Sequence, residues 1–391
     1  MTEVVIVSAA RTPIGKLGGA LSSLSAVDLG TVAATAAIDR AGLAPERVDQ
    51  AIFGNVLQAN SGQNVARQIA LKSGLATTST AMTINEVCGS GLKAVRLGQS
   101  AILLGDADIV LVGGTESMSQ APFYAPSARF GHKFGNVEFV DGLYRDGLSD
   151  AFTGLPMGIT AENVADQFSI TREAQDRFAL ASHQKAVAAQ AAGRFDAEIA
   201  PVVVKTRKGP VTVTTDEGPR ADTSLTKLAS LRSAFKADGT VTAGNASSIN
   251  DGAAALILMR KDLVEAEGIP YLATIAGYNE GGIDPNFMGY APKRVIEKLL
   301  KRTASEMADI DLVEINEAFA AQSVAVANEL ALPLTKLNVN GGAIALGHPL
   351  GASGARVLTT LLYAMQQRDG QNGIAALCVG GGIGVAMQVR R

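Results

Sequence analysis

Short apolar runs alternate along this chain with stretches of helical spacing. Glu3 to Ser8 is rich in β-branched residues and predicts a strand. Ala26 to Ala41 carries apolar residues on one helical face, and Gln50 to Asn55 reads as a second strand. A helix near Asn64 to Ser73, a strand at Ala81 to Asn85 and a helix from about Ser90 to Leu104 keep the rhythm. Asp108 to Gly113 is a continuous apolar run closed by Gly-Gly, the pattern of a strand buried in a parallel sheet. After Met118 the character changes. From Ser119 to about Ser248 the chain mixes Pro, Phe, Tyr and charge, and contains one strong amphipathic helix, Thr171 to Gly193, with Thr171 as N-cap. Ala253 to Met259 returns to a buried-strand pattern.

The last third repeats the first. Val313 to Asn316 predicts a strand, Ala318 to Leu330 a helix, Ser353 to Gln366 a helix opened by a Gly-rich loop, and Ile374 to Val379 a strand. In both thirds a Gly-rich loop opens a helix that leads to an apolar strand ending in Gly-Gly: Ile109-Val-Leu-Val-Gly-Gly and Ala376-Leu-Cys-Val-Gly-Gly. Duplication of one α/β unit is the simplest reading. It divides the chain into a first half (residues 1–118 with 249–268), an insertion (119–248) and a second half (269–391).

Composition narrows the function classes. The 391 residues are 47% apolar and 18% charged, a globular balance with length for two or more modules. Basic and acidic residues (34 and 37) are interspersed and the net charge is -3, so nothing points to nucleic acid or a membrane surface. The N-terminal residues lack a cationic leader, and no apolar run has the length of a membrane span; a cytoplasmic protein is expected. Two cysteines and three histidines are too few and too scattered for a zinc site, so no metal is expected.

The context of these few residues carries the chemistry. Cys88 lies in Asn85-Glu-Val-Cys-Gly-Ser-Gly, between a predicted strand and helix. Unpaired N–H groups and the helix dipole there favour a thiolate, although an isolated cysteine is more often a small buried hydrophobe. His348 sits between Gly347 and Pro349 on a loop before a helix, a position suited to a general base for a thiol. His183 falls mid-helix among Ala and Gln and is expected at the surface; His132, in an irregular loop, receives no role. Cys378 closes a strand before Gly380-Gly-Gly, where it reads either as core packing or as part of a site with an oxyanion hole of glycine N–H groups. Asn316 reads either as a plain N-cap or as a side chain that positions water or histidine.

Eight stretches resemble the thiolase family, in order and over the whole chain: Arg11-Thr-Pro-Ile-Gly, Asn85-Glu-Val-Cys-Gly-Ser-Gly-Leu-Lys-Ala, Gly113-Gly-Thr-Glu-Ser-Met-Ser, Met157-Gly-Ile-Thr-Ala-Glu-Asn, Thr242-Ala-Gly-Asn-Ala-Ser, Asn316-Glu-Ala-Phe-Ala-Ala-Gln, Asn340-Gly-Gly-Ala-Ile-Ala-Leu-Gly-His-Pro and Cys378-Val-Gly-Gly-Gly. The resemblance implies an α/β fold of two βαβαβαββ half-domains in a five-layer αβαβα arrangement, with the insertion as a loop domain over coenzyme A. It implies a ping-pong Claisen condensation in which Cys88 is acylated after His348 takes its proton, and Cys378 removes the α-proton of a second acetyl-CoA. His348 and a water held by Asn316 would face the enolate oxygen; the N–H groups of Cys88 and Gly380 would face the thioester oxygen.

The same resemblance places Arg220, Ser247, Ala243, Phe235, Leu148, Met157, Ala318 and Phe319 along CoA, with Met157 and Met288 flooring the acyl pocket. Two positions depart from many acetoacetyl-CoA thiolases: Pro156 replaces a histidine and Lys227 a serine. The implied activity is acetyl-CoA C-acetyltransfer by a homo-oligomer, a dimer or a homotetramer, needing no cofactor beyond its CoA thioester substrates. The motifs are similar to those of thiolases that feed the mevalonate pathway. A broad degradative 3-ketoacyl-CoA thiolase is the alternative, since Pro-Met-Gly-Ile-Thr also occurs there. A β-ketoacyl synthase would use a further His, or His and Asn, instead of Cys378 and this Gly-His-Pro loop, and a non-catalytic acyl-CoA binder would have lost a reactive group.

Overall fold

The computed structural model describes residues 2–391. Its first half runs β1 (Val4–Arg11), α1 (Ala26–Ala41), β2 (Gln50–Gly54), α2 (Val65–Lys72), β3 (Thr80–Ile84), α3 (Ser90–Leu104), β4 (Ile109–Ser117) and, after the insertion, β5 (Asn250–Arg260). This is the βαβαβαββ order. Local chemistry sets the boundaries. The Ser25 hydroxyl accepts the Asp28 N–H in a capping box that starts α1, and Gly42 in the left-handed region ends it.

The sheet is mixed. β2 lies parallel between β3 and β4, whereas β4 pairs antiparallel with β5, and β5 antiparallel with β1. The expectation that β4 belongs to a purely parallel sheet and stops at Gly113-Gly114 is therefore corrected. The strand continues to Ser117 because those glycines are extended and serve close approach: a Cβ on Gly113 would lie 2.3 Å from the Ala254 carbonyl oxygen, and one on Gly114 2.0 Å from that of Gly351.

The insertion between β4 and β5 adds to this sheet a single parallel bridge, Ile199 beside Arg11 of β1, and has its own short pairings, Phe123–Tyr124 with Val140–Asp141 and Val202–Thr206 with Gly209–Val213. It carries α4 (Gly158–Gln167) and α5 (Arg172–Ala191). Arg11 on β1 ties it down: its guanidinium donates to Glu198 at 2.6 Å and to both Asp216 oxygens at 2.7 and 2.9 Å, with all three residues buried.

The second half supplies β6 (Ala273–Gly282), α6 (Ala291–Arg302), β7 (Leu312–Ile315), α7 (Ala320–Glu329), α8 (Leu350–Gln367), β8 (Asn372–Val379) and β9 (Ile383–Arg390). The order β7-β8-β9-β6 repeats β2-β4-β5-β1, with the same parallel first pair and antiparallel remainder. A parallel bridge from Val313 to Leu337 stands where β3 stands in the first half. The duplication read from the sequence is thus present in the topology. The halves meet edge to edge through β1 and β6, over the pairs Val5–Thr274 and Ile6–Ala273.

Five layers result. α1 and α2 cover the outer face of the first sheet. α3 and α8 fill the space between the sheets, in a core that includes Leu92, Val110, Leu256, Leu358, Leu377 and Met387. α6 and α7 cover the outer face of the second sheet. The two central helices touch backbone to backbone. A Cβ on Gly91 would lie 2.5 Å from the Ala355 nitrogen, and one on Gly354 2.4 Å from the Leu92 nitrogen.

In an unobstructed helix Gly→Ala is worth about 1 kcal/mol in favour of alanine. At this crossing overlap with backbone reverses the sign, with a cost in the range of about 1–3 kcal/mol usual for overpacked cores. Gly354→Ala is expected to lower the urea midpoint with little change in slope, whereas an unchanged or raised midpoint would show that the helices can separate freely.

Candidate active site

Between β3 and α3 the chain makes a constrained turn. Val87 adopts φ 46°, a region that β-branched residues rarely occupy. Side chains hold it there. Asn85 Oδ1 accepts the Val87 N–H at 2.9 Å, and the Ser90 hydroxyl accepts the Glu86 N–H at 2.8 Å while donating to the Val87 carbonyl at 2.7 Å. Cys88 is thereby presented at the mouth of α3, with its own N–H and that of Gly380 directed at the sulfur.

His348 arrives from the other half. Gly347 at φ 111° packs where a Cβ would strike Asn250, and the His348 N–H donates to Asn250 Oδ1 at 2.9 Å. The ring then stands with Nε2 3.3 Å from Cys88 Sγ and Nδ1 2.5 Å from Ser353 Oγ. The amide nitrogen of Asn316, at the end of β7, lies 3.4 Å from each ring nitrogen, and its Oδ1 is buried without a partner. Cys378 is buried near the end of β8 in a cluster with Met157, Met288, Ala318 and Phe319. Gly380 forms the turn between β8 and β9.

The expected thiolate is not what this environment favours. Burial pushes the Cys88 thiol up to about 11, although the Gly380 and Cys88 N–H groups pull the other way. Burial, reinforced by the Arg356 cation, pushes His348 down to about 3. Burial and the neighbouring Cys88 also raise Cys378. At neutral pH the pair is a thiol beside a neutral imidazole, so the proton moves when the nucleophile attacks and not before. The helix dipole is present, but desolvation of the charge outweighs it.

Two buried carboxylates brace these loops. Glu116 accepts the N–H groups of Val56, Leu57 and Gly351 and the amide of Asn55, at 2.8–3.1 Å, joining the first half to the start of α8. Burial nevertheless raises it to about 7. Glu317 accepts from Ser182, Asn338 and the Ile344 N–H, tying β7 to α5 and to the loop before His348. Sequence reasoning missed Ser353, Asn250, Glu116 and Glu317 as parts of the site. Glu116 and Glu317 lie inside quoted motifs and Asn250 and Ser353 shortly beyond one, but Glu116, Glu317 and Asn250 have partners distant in sequence, and only Ser353 had a visible context, as a helix-opening residue.

A cavity of about 1530 Å³ opens from Cys88, His348 and Gly380 toward the insertion. Leu148, Met157, Phe235, Ala243, Ser247, Met288, Ala318 and Phe319 line it. Arg220 does not. It faces an adjoining recess of about 470 Å³ with Lys16, His183 and Lys227, because the stretch holding Ala243, Ala246 and Ser248 stands between the two spaces and walls both. Lys227 is paired with Asp222 at 2.7 Å. His183 is also corrected: it is buried, since α5 packs against α7 and the turn Ala343–Leu346, and its Nδ1 accepts the Arg220 N–H at 3.2 Å. Burial, with the Arg220 charge next, lowers it to about 4.

The family models for the thiolase N-terminal and C-terminal domains match residues 4–262 and 269–391. The chain belongs to the thiolase family. An acetyl-CoA acetyltransferase of Cupriavidus necator is 53% identical to this thiolase over 392 aligned positions, covering all of both chains. A probable acetyl-CoA acyltransferase of Staphylococcus aureus (strain COL) is equally similar over the same extent. Among solved structures, the Bacillus anthracis acetyl-CoA acetyltransferase superposes with a TM-score of 0.98 at 43% identity. The human mitochondrial 3-ketoacyl-CoA thiolase superposes with 0.97 at 45%; each alignment covers 100% of this chain and 99% of the other. The five-layer architecture of this thiolase is that of its relatives.

The neutral pair has a direct signature. The ultraviolet absorbance of a thiolate, taken as wild type minus Cys88→Ser, should be absent at pH 7 and emerge only above about pH 9, as a thiol with a raised pKa requires. A thiolate signal with a midpoint below pH 7 would mean that an ion pair forms in the resting enzyme.

Proposed function

We propose that this thiolase is an acetyl-CoA C-acetyltransferase, condensing two acetyl-CoA to acetoacetyl-CoA and CoA through an acetylated Cys88. The observation that carries the reading is the convergence of Cys88, His348 and Gly380 at one end of a cavity large enough for a CoA thioester, with Cys378 buried near Cys88 behind the cavity wall. Cys88 Sγ attacks the first thioester carbonyl as its proton passes to His348 Nε2. The N–H groups of Cys88 and Gly380 receive the developing oxyanion. CoA departs with a proton from Cys378, which becomes the base for the α-proton of the second acetyl-CoA. The resulting carbanion attacks acetyl-Cys88, and His348 returns its proton to the released Cys88 sulfur. Every proton is accounted for within the three side chains. The unpartnered Oδ1 of Asn316 supports a bound water beside His348, facing the enolate oxygen.

The acyl end is narrow. Met157 Cε reaches within 3.8 Å of the position a Gly380 Cβ would take, and Met288 is buried beside Cys378. These contacts, with the likeness to the acetyl-CoA acetyltransferases of Cupriavidus necator and Bacillus anthracis, favour acetyl over longer acyl groups. A broad 3-ketoacyl-CoA thiolase is the second reading. It is supported by Pro156, and by the near-equal likeness to the human 3-ketoacyl-CoA thiolase.

Self-association belongs to the same proposal. Phe130 and Phe134 are 90% and 96% exposed on the insertion, Phe123 and Phe139 accompany them, and β3 ends the sheet with Met82 exposed. Apolar surface and an open strand edge of this kind fit contacts with further copies of the chain, in a dimer or homotetramer. A cytoplasmic role in supplying the mevalonate pathway rests on the motif resemblance. No described helix is long and apolar enough to cross a membrane.

Incubation with acetyl-CoA should add one acetyl group per chain, located by peptide mass spectrometry on Cys88. Cys378→Ala should still acetylate but lose condensation by roughly a hundredfold or more, the scale of a positioned proton-transfer group. Label on Cys378 alone, or near-normal condensation by that variant, would refute these roles. The acyl-length reading is tested separately. Each methylene that cannot be housed forfeits about 0.8 kcal/mol of burial, so kcat/KM for acetoacetyl-CoA thiolysis should clearly exceed that for a C8 ketoacyl-CoA, and Met288→Ala should narrow the gap. A wild-type ratio at or below one would select the broad-range reading.

A further inference from the structure

The His348 ring has a different partner on each nitrogen. Nε2 meets Cys88 Sγ at 3.3 Å, and Nδ1 meets Ser353 Oγ at 2.5 Å. Ser353 is fully buried in the first turn of α8, and its hydroxyl donates to the Pro349 carbonyl, one helical turn back, at 2.9 Å. A hydroxyl carries one hydrogen and otherwise only accepts. With that hydrogen directed at Pro349, the close contact to the ring requires the hydrogen on Nδ1, which leaves the Nε2 lone pair facing the thiol. Nothing else near the ring makes this choice. The Asn316 amide nitrogen is equidistant from both nitrogens, and among the described residues no carboxylate hydrogen-bonds to the imidazole.

We propose that Ser353 is a positioning residue that fixes His348 in the Nδ1–H tautomer, so that Nε2 is free to accept the Cys88 proton. The inference rests on the reading of His348 as the base for Cys88. A serine in this place differs from the carboxylate of a hydrolase triad, because it orients the ring without neutralising an imidazolium. The charged form of His348 therefore has no hydrogen-bonded counter-charge and hands its proton on readily once the Cys88 sulfur is released. That suits a group that must act as base in acylation and as acid when the Cys88 sulfur is released. The chain Nδ1–H to Ser353 to Pro349 also locks the ring to the helix that crosses α3, so ring orientation and helix placement are set together.

The chain has three histidines, so two-bond 1H–15N spectra of the whole 15N-labelled protein resolve three rings, assignable with His132→Gln and His183→Gln. Wild-type His348 at pH 7.5 (about one unit above the ordinary imidazole range) should show a protonated Nδ1 and a bare Nε2. Ser353→Ala should shift it toward the Nε2–H form and slow single-turnover acetylation of Cys88 by about tenfold or more, short of the roughly hundredfold or larger loss expected for His348→Asn. An Nε2–H tautomer in the wild type overturns the proposal, as does an unchanged tautomer in Ser353→Ala; the wild-type spectrum decides even if the variant does not fold. Near-normal acetylation by His348→Asn would instead remove the base reading itself, an outcome that the tautomer measurement tells apart.

Discussion

Everything in this molecule that does chemistry depends on how closely α3 and α8 approach each other. The two helices belong to different halves of the chain, and each brings one member of the pair, Cys88 at the start of α3 and His348 just ahead of α8. A contact of 3.3 Å between sulfur and imidazole needs the two helix starts side by side. Gly91 and Gly354 permit that, since a side-chain carbon on either would meet backbone nitrogen of the other helix. Gly351 adds a third close approach, against Asn55 and the Glu116 carboxylate. Ordinary helix packing keeps axes 8–10 Å apart through interlocked side chains; here glycine removes the side chains at the crossing and places the functional groups in their stead.

The reacting side chains are buried, and that governs their electrostatics. Removing a thiol and an imidazole from water disfavours charge on either, by more than the local N–H dipoles restore. The consequence is a poised neutral pair whose charges appear only as the substrate supplies a compensating oxyanion. The linkage has a sign. A histidine held neutral to about pH 3 binds no proton where the unfolded chain would, so its contribution weakens the fold as pH falls from about 6.5 toward 3. The carboxyl groups that brace the loops act with the opposite sign: burial raises Glu116 to about 7 and also raises Glu317, so their contributions weaken the fold as pH rises from about 4.5, against the pull of their N–H partners.

Much of this was legible in the residues. Helix α1 and helix α3 fall where apolar spacing puts them, and the repeated Gly-Gly endings disclose the duplication that the strand pairing also carries. Cys88 and His348 stood out because each sits among glycines and not on an apolar face. Less legible are β6, β9 and α6 of the second half: Gly277, Gly281 and Gly282 interrupt the strand pattern of β6 and Gly384 that of β9, and α6 opens on Pro292 without a side-chain cap. His183 was misplaced for a related reason. Ala and Gln around it suggest a solvent-facing helix, but alanine is also what a helix needs to pack closely under an insertion, and only tertiary contact distinguishes the two. Arg220 lies in the recess that adjoins the cavity, across the stretch holding Ala243, Ala246 and Ser248, a placement that no local pattern around it discloses.

The location of the insertion has a consequence for how the chain becomes a protein. In the second half, β8 reaches its antiparallel partner across Gly380–Gly382, so that hairpin can form as soon as it leaves the ribosome. In the first half the equivalent partner of β4 does not exist until residues 250–260 have been made, after all of 118–249. Its contact order is correspondingly high, and pairing must wait on a long loop closure. While residues 118–249 are being made, β4 and β1 each present an unpaired apolar edge, held apart by the strand still missing between them, and the period of greatest exposure to aggregation is written into the topology.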